Sequence, residues 1–453
     1  MRTRSLSASL SCAVLTALVS VVALPARDAA AGPLLDKALA YSANWQDRHG
    51  PAFGCRVEVV WSDASQTTPI RYEDIGDATS WTGPYVAAEA LRWHLTGDRD
   101  AKQNAFRGLE CLLASESTTG KPGFIGRAVV PFEGPWAAYV GNTCTEANNC
   151  HLITDGPYAG SYWLGNTSSD TYIGWFYGML YAWDFLVDEP ADQPMRDQIQ
   201  GAVDRTMTTL VNDNYTIVLP NGVPSDTAAD IVGNERIAFH EVAARVVGGH
   251  WADEMQSVYQ RELLSYFFSA WAPFNRYFQY FAYNLGHTLQ DMILHTDTVN
   301  LSFDQLVTGQ QLYRWVAGTQ QSFFDFVAWG GGAAPYTQAD VDADKTVLAA
   351  VPEPPRLEIQ PEQGAYTPDP AVDLLNFLGP IIAQLLGQSW DTIGPMSTTP
   401  FPAGQRCTVG FMWDNNPANV CQSADDPTWE YSGDDYLIAY WLGRYHGLLS
   451  DAD

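Results

Sequence analysis

The stretch "SSDTYIGWFYGMLYAWDFL", Ser168 to Leu186, restricts the fold more than any other part of the chain. Two hydroxyls and an acid open it, as helix starts require. Aromatic and aliphatic residues follow on every face. A helix that is apolar all round must be buried on all sides. Its successor, Ala191 to Asp213, carries a single apolar stripe: Met195, Ile199, Val203, Met207 and Leu210. One stripe predicts a helix with one covered side and one wet side.

The same pairing recurs along the chain. "DATSWTGPYVAAEALRWHLTGD" (Asp77 to Asp98) precedes a helix striped by Ala101, Ala105, Leu109, Leu112 and Leu113. "DIVGNERIAFHEVAARVVGG" precedes "HWADEMQSVYQRELLSYFF", and "YFAYNLGHTLQDMILHTD" precedes "LSFDQLVTGQQLYRWVAGT". "YSGDDYLIAYWLGRYHGLL" closes the series. Repeated pairs of buried and half-buried helices predict an all-α fold, a double ring with inner helices wrapped by outer ones. "DLLNFLGPIIAQLLG" (Asp373 to Gly387) is read as a sixth inner helix. Gly174 and Gly178, one turn apart, allow another helix to approach closely. "CRVEVVW" alternates and reads as a short strand. Two irregular insertions interrupt the plan, near 121–167 and 330–370. The first is expected to wall the site and the second to be a surface excursion.

The N-terminus reads as a signal peptide over residues 1–31, with Arg2 and Arg4, a short apolar core from Cys12 to Leu24 and an alanine-rich cleavage site. The remainder, 32–453, is expected to be one domain, secreted or periplasmic. The apolar core is too short to span a bilayer, so no stable membrane insertion is expected. Six cysteines remain after processing, and an even count in an exported chain predicts disulfides. Loop lengths favour Cys144–Cys150 and Cys407–Cys421, leaving Cys55–Cys111. The net charge of −28 argues against nucleic acid and anionic membranes as partners. A monomer is expected.

If the inner helices run in one direction, their N-termini meet at one mouth. Those starts hold Asp77, Trp81 and Tyr85; Asp170, Tyr172 and Trp175; Asn234 and Glu235; Asn284 and His287; and Asp434 with Asp435. Acids beside aromatics suit sugars, since aromatic faces stack on sugar rings and two carboxyls divide the work of glycoside cleavage. The bland reading is that the acids cap helices and the rings fill the core. His287 lies four residues before Asp291, which reads as a buried polar contact or as an acid–base histidine with its orienting acid. Arg127, in the first insertion, is placed to reach the mouth. No zinc spacing, phosphate loop, calcium loop or nucleophile elbow is present, so no metal and no cofactor is expected.

"DATSWTG", "SSDTYIGWFYG" and "SGDDYLIAYWLGRYHGLL", together with the paired-helix plan, resemble the six-hairpin, (α/α)6-toroid carbohydrate-active proteins. The likeness covers most of the chain and is one of architecture. It implies a glycoside hydrolase acting on a carbohydrate, with Asp170 and Asp77 as the carboxyl pair. From the reading of the helix starts and the first insertion, substrate contacts are expected from Trp81, Tyr85, Tyr172, Trp175, Arg127, Asn234, Glu235, Asn284, His287 and Asp434. The same fold hosts polysaccharide lyases and epimerases, for which His287, Tyr283 and Arg127 would serve, and isoprenoid cyclases. A non-catalytic envelope binding protein is the remaining reading.

Overall fold

A computed structural model describes residues 31–137, 145, 149–270, 277, 280–385, 390 and 392–453. The expected leader lies outside these residues, and the unit Ala31–Asp453 is the subject below. Among the described residues the chain forms thirteen α-helices. They are α1 (Pro33–Asn44), α2 (Ala78–Thr96), α3 (Arg99–Ser117), α4 (Ser169–Tyr181), α5 (Gln193–Asn212), α6 (Gly233–Val246) and α7 (His250–Ser269). Then follow α8 (Phe281–Thr296), α9 (Leu301–Val307), α10 (Ser322–Gly330), α11 (Gln338–Ala350), α12 (Pro370–Leu385) and α13 (Asp434–Tyr445).

The two helix types predicted from sequence are both present. In α4 every residue from Thr171 to Tyr181 is buried, as is every residue of α2 from Ala78 to Trp93. In α5, Ile199, Val203, Met207 and Leu210 are buried and the opposite face is wet. The helix contacts follow a sequence. α2 packs on α4, α4 on α6 and α8, α6 on α8, α8 on α10, α10 on α13, and α13 on α2. A second set lies against this one: α3 on α2, α5 and α7 on α6, α9 on α8, α11 on α10, and α1 on α13.

The α2–α4 contact depends on glycine. A Cβ on Gly174 would collide with the Ser80 carbonyl, and one on Gly83 would collide with the Gly174 carbonyl. A Cβ on Gly178 would lie 2.9 Å from Gly83 Cα. Pro84 lies inside α2 and has no N–H, so the Ser80 carbonyl has no i+4 donor of its own. That freed carbonyl is the one that abuts Gly174.

The fold is not purely helical. One antiparallel sheet has the order β2-β1-β7-β6, with β1 (Glu58–Trp61), β2 (Pro69–Glu73), β6 (Arg356–Glu358) and β7 (Asp426–Tyr431). A smaller one has the order β3-β5-β4, with β3 (Ala128–Val130), β4 (Cys150–Leu152) and β5 (Tyr162–Leu164). Strand β2 leads into α2, β5 into α4 and β7 into α13. The sheets therefore deliver the chain to three helix starts. All four residues of β1 are buried, which explains its uninterrupted "EVVW".

Two sequence expectations are corrected. The segment near 330–370 contains α11, started by a reciprocal cap in which Thr337 Oγ1 accepts the Asp340 N–H and Asp340 Oδ2 accepts that of Thr337 (2.7 Å). It packs on α1 and α10. Helix α12 is not an inner helix: only Val372, Gly379 and Ala383 are buried in it. The buried helix that packs between α8 and α13 is α10, "SFFDFVAWG". Disulfides join Cys55 to Cys111 and Cys407 to Cys421. Cys150 is also disulfide-bonded, and its expected partner Cys144 lies outside the described residues.

Gly174→Ala is expected to destabilise the fold by about 2–3 kcal/mol, since neither backbone can retreat without moving its helix. Urea denaturation read by far-UV circular dichroism measures this, and an unchanged midpoint contradicts the packing account. Stability should also depend on pH above neutrality. Burial raises the carboxyls of Asp304 and Asp325 to about 7 and that of Glu241 to about 8. These folded-state values exceed those of the unfolded chain, so the folded state binds more protons and loses stability as pH rises through them. Burial lowers His240 to about 4 and His287 to about 3. Those histidines act in the opposite direction, but only below about pH 6.5, their unfolded value. Between pH 6.5 and 8.5 the melting temperature should therefore fall. A flat or rising profile in differential scanning calorimetry contradicts this.

Candidate active site

The starts of α2, α4 and α6 bring three carboxyls into one electrostatic field. Asp77 stands at the N-cap position of α2 yet makes no capping hydrogen bond. The role falls partly to the Arg127 carbonyl, which accepts the Thr79 N–H at 2.9 Å. Asp77 Oδ1 instead accepts from Arg127 Nη1 at 3.1 Å, and its side chain is 35% exposed. Burial of its surroundings raises the Asp77 carboxyl to about 6. The charges of Asp74 and Asp170 push the same way, and Arg127 opposes them.

Asp170 lies in the first turn of α4 and, among the described residues, accepts only the N–H of the next residue, Thr171, at 3.1 Å. Its charge acts on Asp77 on one side and on Glu235 on the other. Glu235, in the first turn of α6, accepts the Val232 N–H at 2.6 Å and so caps its own helix. Burial raises it to about 7, opposed by that N–H and by the Ser169 hydroxyl.

Arg127 joins these starts. It donates to the Gly76 carbonyl (2.9 Å) and Asp77 before α2, and to the Asn166 carbonyl (2.9 Å) and Ser168 Oγ (3.0 Å) before α4. The first insertion is thus tied to the starts of α2 and α4 through this guanidinium. Four of its five N–H donors are thereby engaged within the protein.

A second charged group lies beside the first. Arg56 is fully buried among Asp74, Glu58 (3.2 Å) and Asp434 (3.5 Å), and donates to Ser432 Oγ at 2.9 Å. Three acids around one guanidinium leave an excess of negative charge. Asp74 is accordingly raised to about 7, burial being the largest cause. Arg356 binds Asp435 at 2.8 Å and the Gly410 carbonyl at 3.0 Å. Asp414 adds another acid, raised well above the usual range by burial and by Asp435, Asp74 and Asp77. The Asn284 side chain faces Asp414, but neither its Oδ1 nor its Nδ2 reaches a hydrogen-bond partner. Asp414 Oδ1 and Asn234 Oδ1 likewise have none.

The aromatic expectations divide. Trp81 stacks on Phe411 with ring centres 4.2 Å apart, and Phe281 stands edge-on at 6.3 Å. Tyr85, Tyr172 and Trp175 are core residues, contrary to expectation. Tyr85 stacks on Trp45 at 3.5 Å, the Tyr172 hydroxyl accepts the Ile125 N–H at 3.3 Å, and Trp175 Nε1 donates to the Leu112 carbonyl at 2.7 Å. Each points toward a covering element, so no ring face is free for a ligand. Asp434 is buried and held by Arg56 and Ser432, which removes it as a direct substrate contact. His287 does not pair with Asp291. Its Nδ1 meets the Tyr283 carbonyl at 2.6 Å and its ring stacks on Phe324, while Asp291 accepts from Tyr177 and Tyr181.

Sequence reasoning missed Asp74, Arg56, Asp414, Phe281 and Phe411. "DIGD" held a signal, since Asp74 lies one turn before Asp77 and a positive φ of 56° suits Asp better than most residues. The others come from distant segments and carry no local mark. One acidic trio, Asp188, Glu189 and Asp192, has metal-like spacing. Lys102 Nζ already sits among them at 3.0, 2.9 and 2.6 Å, so an ammonium fills the position of a metal. A cavity of about 400 Å³ lies elsewhere, lined by Tyr313, Arg314, Asp325 and Trp329.

Comparison with protein-family models, curated proteins and solved structures gives no match to this chain.

Arg127→Gln should raise the Asp77 carboxyl above about 6, because the guanidinium that contacts it is lost. It should also destabilise the fold by about 1–3 kcal/mol through the acceptors left unpaired. Carboxyl NMR titration and urea denaturation read the two effects. A downward shift at Asp77 contradicts the assignment.

Proposed function

We propose that this chain is an exported glycoside hydrolase built on an (α/α)6 toroid, with Asp77 and Asp170 as its working carboxyl pair. The contact sequence that runs from α2 through α4, α6, α8, α10 and α13 and returns to α2 supports the ring. The second set of helices outside it supports the double layer. The disulfides and the absence of any helix long and apolar enough to cross a membrane, among the described residues, are compatible with export.

One observation carries the chemistry: Asp77 holds the cap position of its helix without capping it. An acid needed only for the helix would accept the N–H groups of the first turn. Asp77 instead pairs with Arg127, remains partly open to solvent and holds its proton up to about pH 6. That value suits a general acid working in mildly acidic to neutral conditions. Asp170, next to it and lightly hydrogen-bonded, is assigned as base or nucleophile. Glu235 is the third carboxyl, already committed in part to its helix. Trp81 and Phe411, both buried, form an aromatic cluster near the start of α2, of which Phe281 is the partly exposed member.

The lyase and epimerase reading draws less support. Its histidine is fully buried against Phe324, and the arginines near the acids are all bound to carboxylates.

Release of reducing ends from a panel of neutral and uronic-acid glycans tests the proposal. The chain is expected to cleave at least one, with kcat/KM falling above about pH 6 as Asp77 loses its proton. Asp170→Asn and Asp77→Asn should each lower kcat by roughly 10²–10⁴-fold while leaving the fold intact. Full activity in both variants rejects the assignment, and no cleavage across the panel rejects the activity.

A further inference from the structure

Helix α12 is built inside out. Leu374, Phe377, Leu378, Ile381, Ile382 and Leu385 recur at i, i+3, i+4, i+7, i+8 and i+11, the period of an apolar helix face. All six are exposed, from 38% for Leu378 to 81% for Leu385. The face turned toward the protein carries Val372, Leu375, Gly379 and Ala383.

This orientation is enforced. Asn376 donates from Nδ2 to the Ile393 carbonyl (2.9 Å) and accepts the Ile393 N–H on Oδ1 (2.8 Å). Gly379 lies directly against the Trp390 ring, where a Cβ would collide with it. Rotating the helix to bury its large side chains would break both amide bonds and drive a larger residue into Trp390. The apolar stripe is therefore held outward by specific contacts.

We propose that α12 is the contact face of a homodimer, packed against the same helix of a second copy. The exposed parts of the six side chains amount to on the order of 600 Å², the upper end of the largest apolar patch on a typical monomer. Doubled across a two-fold axis this is about 1,200 Å², the lower end for a stable interface. The stripe offers no donor or acceptor to a polar partner, but it is complementary to itself. Asp373 is the only charge between Pro370 and Leu385. In an antiparallel pair the two copies of Asp373 lie at opposite ends, which keeps the two like charges apart. A bilayer surface is disfavoured as the occupant. Interfacial helices carry Lys or Arg on their polar face, whereas α12 carries neither and the chain is at −28.

Sedimentation equilibrium of the purified chain tests this. A dimer is expected in the micromolar range. Its dissociation constant should fall as salt rises, since screening weakens the repulsion of two acidic copies. The double variant Phe377→Ser/Ile381→Ser, at exposed positions, should keep the melting temperature and weaken the dimer by at least about 100-fold. A chain that is monomeric at all concentrations overturns the proposal. So does a dimer unaffected by the double variant. Binding of a monomeric chain to phosphatidylcholine vesicles, lost in the double variant, would assign the face to a membrane and also overturn it.

Discussion

The buried Arg56 guanidinium is the interaction on which the joined starts of α2 and α13 depend. It joins β1 through Glu58, the approach to α2 through Asp74 and the start of α13 through Asp434. These segments are far apart in sequence, and α2 and α13 pack side by side. One cation cannot neutralise three acids. A deficit of positive charge in a dry place favours protons on carboxyls. That deficit, extended through Asp77 and Asp414, adds to burial, the larger cause, in making acids near these helix starts hold protons at unusually high pH. Removing the guanidinium would leave several buried charges uncompensated, a far larger perturbation than losing one surface ion pair.

Packing and electrostatics are linked at the same place. The Ser80 carbonyl, without an i+4 donor because of Pro84, lies against Gly174, so α2 and α4 approach more closely than larger side chains would permit. That close approach sets Asp77 and Asp170 within each other's field. Arg127 then fixes both starts by binding Asp77 and Ser168 at once. The two small sheets feed the chain into these starts. They are minor in extent but central in position.

What could be read from sequence followed periodicity. The all-apolar α4 and the one-stripe α5 were legible because burial imposes a pattern every few residues. Gly174 and Gly178 were legible because helix contacts of this closeness exclude side chains. The same reasoning failed for α12, where an apolar period of Leu374, Phe377, Ile381 and Leu385 marks an exposed face. Hydrophobicity says that a face avoids water, and does not say whether the same chain covers it. It also missed α10, whose nine residues are too short to display a period, and α11, whose Ala and Asp content read as loop despite the cap at Thr337. Asp77, Asp170 and Glu235 could be placed at helix starts because such starts announce themselves, whereas Arg127, just before β3, carried no such mark. Tyr85, Tyr172 and Trp175 were misassigned because sequence does not say which side of a buried helix faces an outer layer. Arg56 and Asp414 were missed because their partners come from distant segments.

The central claim is that Asp77, half-buried within the negative field of Asp74 and Asp170, holds a proton to about pH 6. Carbon-13 carboxyl NMR titration of the chain and of Asp170→Asn tests it most directly. The account predicts that Asp77 titrates at about 6 in the native chain and at a lower pH in the variant, once the neighbouring negative charge is gone. An Asp77 that titrates near 4 in the native chain, and does not move when Asp170 is neutralised, would contradict it.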